Sequence, residues 1–510
     1  MPNVTTFLDN HTRGPPVVAL RVPHTGESLT YAELLEQSCR LGNGLLSRGV
    51  TKGDRVCIFL DSSPRYLVSY FALWRIGAVA VPANIVYKAD ELAHVLRDSG
   101  AVGMVLAGGP SALIAEEALK TVPGVEVVVR TGEGPIGEAW DHVLSSASPL
   151  LPAVHCSFDH PCQLQYTAGT TGRPKGAILT HGNWMAALDA EQEVLSLRRG
   201  DVYLGIYPMG HVGVSWGIAA LRAGGTYIIM ERFSEQEYLD NCSTYGVTVL
   251  AAMPPVIHTL TEAPRDTEKY LGTVRVIISG GGQLLPYLWE KFDRRFGIPI
   301  ANSYGLSETI VVGTGTATIP GRPELTRNYQ SVGCPVGYSE VSIVDPEDAG
   351  CVLPAGETGE IALRGPAVAL GYWNLPEASA EHFLPEGWFL TGDIGFLDRE
   401  GVLFITDRKK DMIIMSGWKI YPTEVENVIL QHPKVVDVAV FGREDPRKGE
   451  IPVAAVVLAP GETLTGEELE EFCRARMAGY KVPREMIVLG SLPRAHGWKL
   501  LRRSLREQFG

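Results

Sequence analysis

The chain has 510 residues, 45% of them hydrophobic and 20% charged, with 45 Lys and Arg against 58 Asp and Glu for a formal net charge of −13. Disordered and collagen-like classes are excluded, and the length exceeds one ordinary core, so two or more domains are expected. The acidic balance disfavours nucleic acid or an anionic membrane, whose phosphates must be neutralised by Lys and Arg, but leaves room for a local basic cluster on a small anion.

The N-terminal MPNVTTFLDNHTRG has neither the basic region nor the apolar run of a signal peptide, and REQFG carries no peroxisomal or prenylation address. Eight cysteines at 39, 57, 156, 162, 242, 334, 351 and 473 form no C-x-x-C pair, which fits buried thiols in a reducing cytoplasm. RVCIFL (55–60) reads as a buried strand and 65–75 as a helix ending near Gly77. Residues 202–221 carry no formal charge but hold four glycines, Pro208 and His211. That is a poor lipid helix, and it reads instead as buried loop and helix near a ligand pocket. Residues 247–252, 274–279 and 298–301 read as further strands, each followed by a loop rich in Gly or Pro. Alternating strand and helix predict an α/β fold with largely parallel sheets.

After about Ser331 short β runs such as EIALR (360–364) predict a small β subdomain. The last hundred residues read as a separate, small α+β domain. Thr423-x-x-Glu426 and Thr465-x-x-Glu468 each open a helix as a capping box, and VVDVAVFG (435–442) pairs with PVAAVVLA (452–459).

YTAGTTGRPKG (166–176) packs three Gly, three Thr and one Lys into eleven residues. Such a loop is dense in backbone and hydroxyl donors and can wrap polyphosphate oxygens, with Lys175 as a point charge. Taken alone it reads equally as a surface turn. The spacing is not that of a Walker A motif, because Gly176 follows the lysine.

Four later segments follow it in order: SYGLSET (303–309), WFLTGD (388–393), DRKKDMIIMSGWKIYP (407–422) and LPRAHGWKLLRRSLR (492–506). Together the five resemble the adenylate-forming superfamily of acyl-CoA synthetases, firefly-type luciferases and peptide-synthetase adenylation domains, over essentially the whole chain. The resemblance implies a large N-terminal domain (1–408) of α/β sheets with a small β subdomain, and a small mobile C-terminal domain (409–510). It implies ATP, Mg²⁺ and coenzyme A as cofactors, and a small-molecule carboxylic acid as substrate. No nucleic-acid partner and no transmembrane segment are expected, and the assembly is a monomer or homodimer.

By that resemblance Thr167, Gly169, Thr170, Thr171, Gly172 and Lys175 hold the β- and γ-phosphates. Glu308 binds Mg²⁺ with the Thr167 hydroxyl nearby, Ser307 reaches the α-phosphate and Tyr304 stacks on adenine. Asp393 and Arg408 take the ribose, Lys499 is the adenylation lysine, Lys410 is the hinge, and Ser416 and Gly417 line the pantetheine tunnel. Standing alone, Asp393 reads as a turn acid and Tyr304 as a core aromatic, and 407–411 reads as a charged linker. Two departures from the family pattern are Trp498, where glycine is usual before the lysine, and Ala168, where Ser or Thr is usual.

The acyl pocket is expected from 207–217 (YPMGHVGVSWG, with His211, Val212 and Trp216), Gly280, Gly281 and Gly282, Gly305, and 310–312 with Ile310. None of these pieces carries Asp, Glu, Lys or Arg. An ammonium or a second carboxylate therefore finds no partner there, and glycine at 305 leaves room that acetate-specific relatives close with an aromatic. An apolar monocarboxylate, whether medium-chain, branched, cyclic or aromatic, is the expected substrate of an acid–thiol ligase. Transfer to a separate carrier-protein thiol, and a non-catalytic ATP-binding protein, are the alternatives. A packed core histidine is the alternative for His211.

Overall fold

The computed structural model describes residues 3–167, 174–311, 313–315, 327–495 and 499–510, and of Ala495 and Lys499 the backbone alone. Ala168, Gly169, Thr170, Thr171, Gly172, Val312, Gly497 and Trp498 lie outside the described residues. The chain forms two compact units, Met1–Val341 with Leu363–Phe389, and Ser342–Ala362 with Leu390–Gly510.

Two seven-stranded sheets build the first unit. One runs Ile300–Asn302, Val276–Ser279, Val249–Ala251, Val202–Gly205, Thr226–Ile229, Val18–Val22 and Glu27–Thr30, parallel except for its last pair. The other runs Glu138–Ala139, Val127–Thr131, Gly103–Ala107, Arg55–Phe59, Val79–Pro82, Pro161–Thr167 and Lys175–Thr180, again parallel except for its last pair. The apolar runs become buried parallel strands, as their hydrophobicity on both faces requires. The strand expected at 298–301 starts later, at Ile300, after Pro299, which has no N–H for the ladder.

Helix Pro64–Ile76 begins on a proline and ends at Gly77 with φ +76°, and every residue in it but Arg65 is buried. Its Trp74 packs 4.8 Å from Trp184 and donates from Nε1 to the Cys162 carbonyl at 2.8 Å. Trp184 lies on helix His181–Val194, which grows straight out of strand Lys175–Thr180 and is capped reciprocally by Thr180 and Asn183. Both strands flanking 168–174 are thus anchored in the core.

Residues 202–221 fold as strand Val202–Gly205, a loop, a 3₁₀ turn Val212–Val214 and buried helix Ser215–Arg222. Among the described residues no helix is long and apolar enough to cross a membrane. All eight cysteines are free; Cys351 is exposed and Cys334 half-buried, so the expectation of buried thiols fails at those two.

The second unit holds most of a four-stranded sheet ordered Glu340–Val344, Gly359–Arg364, Trp388–Leu397, Leu403–Arg408. It also holds a sheet in which Gly449–Leu458 pairs antiparallel with Val435–Asp445 and Ile413–Met415 and parallel with Glu485–Val488. The box at Thr465 forms with Glu468 as expected. The one at Thr423 does not. Helix Pro422–Ile429 starts on Pro422, the Thr423 N–H donates to Asp407 Oδ2 at 2.7 Å, and Glu426 turns inward to Arg502 and the Val440 N–H. A tertiary ion pair has displaced the local cap.

Candidate functional site

Antiparallel pairing sets Thr167 directly opposite Lys175 and Tyr166 opposite Gly176. Gly176 is small because a Cβ there would come 3.1 Å from the Tyr166 ring, whose hydroxyl donates to Asp98 Oδ2 at 2.6 Å. The strand ends therefore present one hydroxyl and one ammonium side by side at the mouth of the glycine-rich run.

The SYGLSET segment follows strand Ile300–Asn302 and closes as a 3₁₀ turn, Ser307–Thr309, with the Leu306 N–H on Thr309 Oγ1 at 3.0 Å. Glu308 is buried on that turn. Tyr372 Oη donates to its Oε1 at 2.8 Å, and the Lys175 ammonium lies 5.2 Å from the centre of the Tyr372 ring. Backbone bonds from 369–373 stitch the two pieces together: Leu370 to Ile178, Trp373 to Gly176 and Ala369 to Glu308, at 2.7–3.0 Å. Lys175 and Glu308 are thus brought together through a residue that the motifs do not contain, with Thr167 paired opposite Lys175. GYWN reads locally as a turn, and its partners lie far away in sequence.

Among the described residues no three of His, Cys, Asp and Glu cluster as a metal cage. A lone buried carboxylate suits Mg²⁺, which keeps several waters and takes substrate phosphates. Tyr304 is buried and bridges to Thr314, while Gly305 and Ser307 are half-buried.

On the acyl side His211 is half-buried ahead of its 3₁₀ turn, Val212 and Trp216 are buried, and Gly213 rests on the Tyr207 ring. Gln165 donates to the Gly210 carbonyl at 3.1 Å, tying the phosphate strand to this loop. The hydroxyls of Ser279 and Thr314 are buried without a hydrogen-bond partner among the described residues. Gly280 leaves only 3.1 Å between a Cβ and the Ser303 carbonyl, and Gly281 has φ +79°. Ile310 and Val311 both sit in the left-handed region, at φ +48° and +53°, a strained state for β-branched side chains that clusters at functional sites. The Val311 N–H on the Leu306 carbonyl at 3.0 Å holds it.

Glu191 is the residue that sequence reasoning missed here. It sits fully buried on helix His181–Val194, and Ser215 donates to its Oε1. Burial pushes its carboxyl well above the usual range, which favours the neutral acid.

In the second unit Asp393 is the cross-strand neighbour of Arg408, and the guanidinium lies 3.1 Å from its carboxylate. Glu360 accepts from the Gly392 N–H at 3.1 Å and from the Lys409 ammonium at 2.8 Å, so one buried carboxylate links the WFLTGD turn to the residue beside Lys410. The carbonyls of Lys410 and Asp411 each accept from the Arg506 guanidinium at 3.2 Å. Ser416 and Gly417, at φ +50° and +85°, form the two-residue turn between Ile413–Met415 and Trp418–Ile420. A Cβ on Gly417 would meet nothing within 4 Å, so here the glycine serves the turn.

Two family models cover the chain: AMP-binding enzyme over residues 7–373 and AMP-binding enzyme C-terminal domain over 424–497. A feruloyl-CoA synthase from Amycolatopsis sp is 36% identical over 495 residues, 96% of each chain. A crotonobetaine/carnitine–CoA ligase from Citrobacter koseri is 34% identical over 94% of this chain and 93% of its own. ATP-bound MatB from Rhodopseudomonas palustris superposes with a TM-score of 0.91 at 30% identity, over 100% of this chain and 99% of that one. The chain belongs to the AMP-binding enzymes, and it is an AMP-forming acyl-CoA synthetase that joins a carboxylic acid to coenzyme A through an acyl-adenylate made from ATP.

Proposed function

We propose that this synthetase activates an apolar monocarboxylic acid, medium-chain, branched, cyclic or aromatic, and transfers it to coenzyme A. The observation that carries the reading is the absence of Asp, Glu, Lys and Arg from 207–217, 280–282, 305 and 310–312. Feruloyl, the acyl group in one relative's name, is aromatic and favours that end of the range, whereas a cationic acid such as carnitine is disfavoured.

Two anions meet in the first step and a polyanion departs, so cations and donors aimed at the phosphate oxygens are the main requirement. Lys175, Thr167 and the donors of 169–172 hold the β- and γ-phosphates, Ser307 the α-phosphate, Tyr304 the adenine, and Asp393 with Arg408 the ribose. Mg²⁺ at Glu308 supplies positive charge to the phosphate oxygens when bound. Lys499 bridges carboxylate and α-phosphate while the new bond forms. The body 409–510 then turns about Lys410 relative to 1–408, removing Lys499 and bringing Ser416 and Gly417 to the pantetheine arm.

Pyrophosphate release measured over a panel of acids, with and without coenzyme A, tests the reading. Apolar acids alone should support release, and Gly305→Trp should shift preference towards acetate and propionate by overpacking the pocket. Preference for an amino acid or a dicarboxylate overturns the substrate class, and adenylate formed without thioester points to a carrier-protein acceptor.

A further inference from the structure

Tyr372 is 8% exposed and fixed from several sides. The rings of His382 and Phe383 stand edge-on to it, 6.0 and 5.3 Å away. Its N–H donates to Ser379 Oγ at 2.8 Å, and its backbone bridges to Ala177 on the strand that begins with Lys175. A ring held this firmly points its hydroxyl in one direction, and that direction is the Glu308 carboxylate.

The type of donor matters. Among the described residues no Lys or Arg pairs with Glu308, so the carboxylate is oriented by a neutral group that leaves its charge for a cation. The face of the same ring carries negative quadrupole and attracts the Lys175 ammonium 5.2 Å away. Packing does not require the hydroxyl, since a phenylalanine would keep the ring against His382 and Phe383.

We propose that Tyr372 is a positioning residue for adenylation, its hydroxyl aiming Glu308 at the divalent cation and its ring face seating Lys175 for the polyphosphate. The inference rests on the proposed roles of Glu308 and Lys175.

The two functions separate by substitution. Tyr372→Phe removes the hydroxyl and keeps the ring; Tyr372→Leu removes both; Glu308→Gln is the reference for the metal. Binding of Mn²⁺ to the protein–ATP complex, followed by the paramagnetic signal of free Mn²⁺, is compared with ATP binding in excess chelator. Tyr372→Phe should weaken Mn²⁺ binding about tenfold, the scale of one hydrogen bond to a charged group, with metal-free ATP affinity within about twofold. Tyr372→Leu should weaken both. In turnover the Phe variant should show its loss mainly in the apparent constant for Mg²⁺ rather than in kcat.

Metal-free ATP affinity serves as the folding control for Tyr372→Phe, which keeps the ring, and an unfolding midpoint close to that of the wild type serves for Tyr372→Leu. Wild-type Mn²⁺ affinity in Tyr372→Phe, alongside weakened binding in Glu308→Gln, overturns the proposal for Tyr372 alone. Unchanged Mn²⁺ affinity in Glu308→Gln overturns the assignment of Glu308, and the positioning role with it.

Discussion

Asp393 and Arg408 face each other across antiparallel strands, with Nε 3.1 Å from Oδ1, the carboxylate almost fully buried and the guanidinium 46% exposed. The pair holds an acceptor in place while half the arginine stays open to a ligand. Asp393→Asn should raise KM for ATP about 10- to 100-fold, because a hydrogen bond to a charge is lost and an amide NH₂ is turned towards a cation. ATP lacking both ribose hydroxyls is the check. The wild type should discriminate against it strongly and the variant weakly; equal discrimination by both would place the ribose elsewhere.

Lys499→Ala should lower acyl-adenylate formation about 10²–10³-fold and leave thioester formation from supplied adenylate far less affected. Two neighbouring cations are committed to structure. Lys481 pairs with Glu424 at 2.5 Å, and Arg502 bonds both oxygens of buried Glu426 at 2.7–2.8 Å. Arg502→Ala should therefore destabilise the protein by about 3–5 kcal/mol by stranding a buried carboxylate. Loss of the first step in Lys419→Ala, with Lys499→Ala near normal, would transfer the role to Lys419.

The proposed roles of Thr167, Lys175, Glu308, Asp393 and Arg408 come from five short segments read together as family motifs, since each segment alone reads as a turn, a linker or core. Tyr372 and Glu191 are not legible in the sequence, because each acquires meaning only through a partner distant in sequence: 64 residues away for Glu308 and 24 for Ser215. The failed cap at Thr423 has the same cause. Glu426 suits a capping box by spacing, but Arg502, 76 residues on, takes it into the interior. Alternating strands and helices survived the step to three dimensions because burial on both sheet faces dictates them; strand ends did not, since Pro299 and loop hydrogen bonds decide those.

Lys410→Pro should separate the half-reactions. Arg506 holds the carbonyls of Lys410 and Asp411 in the present arrangement, and proline fixes φ at the position proposed to turn. Adenylate formation should persist while thioester formation falls steeply, and Arg506→Ala should alter the balance between the two steps. Equal loss of both steps in folded Lys410→Pro would move the hinge elsewhere.

Glu191 predicts a pH dependence of stability. Its folded-state pKa is raised, so its contribution is fully present below the unfolded value near 4.5 and is lost as pH rises towards the folded one. Denaturation midpoints at pH 5 and pH 8 should therefore show Glu191→Gln gaining on the wild type at the higher pH. A difference between the two proteins that does not change with pH would mean that Glu191 is charged when folded.

The most direct test of the central claim is a competition. Purified protein receives ATP, Mg²⁺, coenzyme A and an equimolar mixture of a cinnamic-type acid, a medium-chain fatty acid, a dicarboxylate, an α-amino acid and carnitine, and the thioesters formed are identified by mass. Coenzyme A thioesters of the apolar monocarboxylates are expected, with AMP and pyrophosphate in equal amounts. Thioesters dominated by the dicarboxylate, the amino acid or carnitine would contradict it.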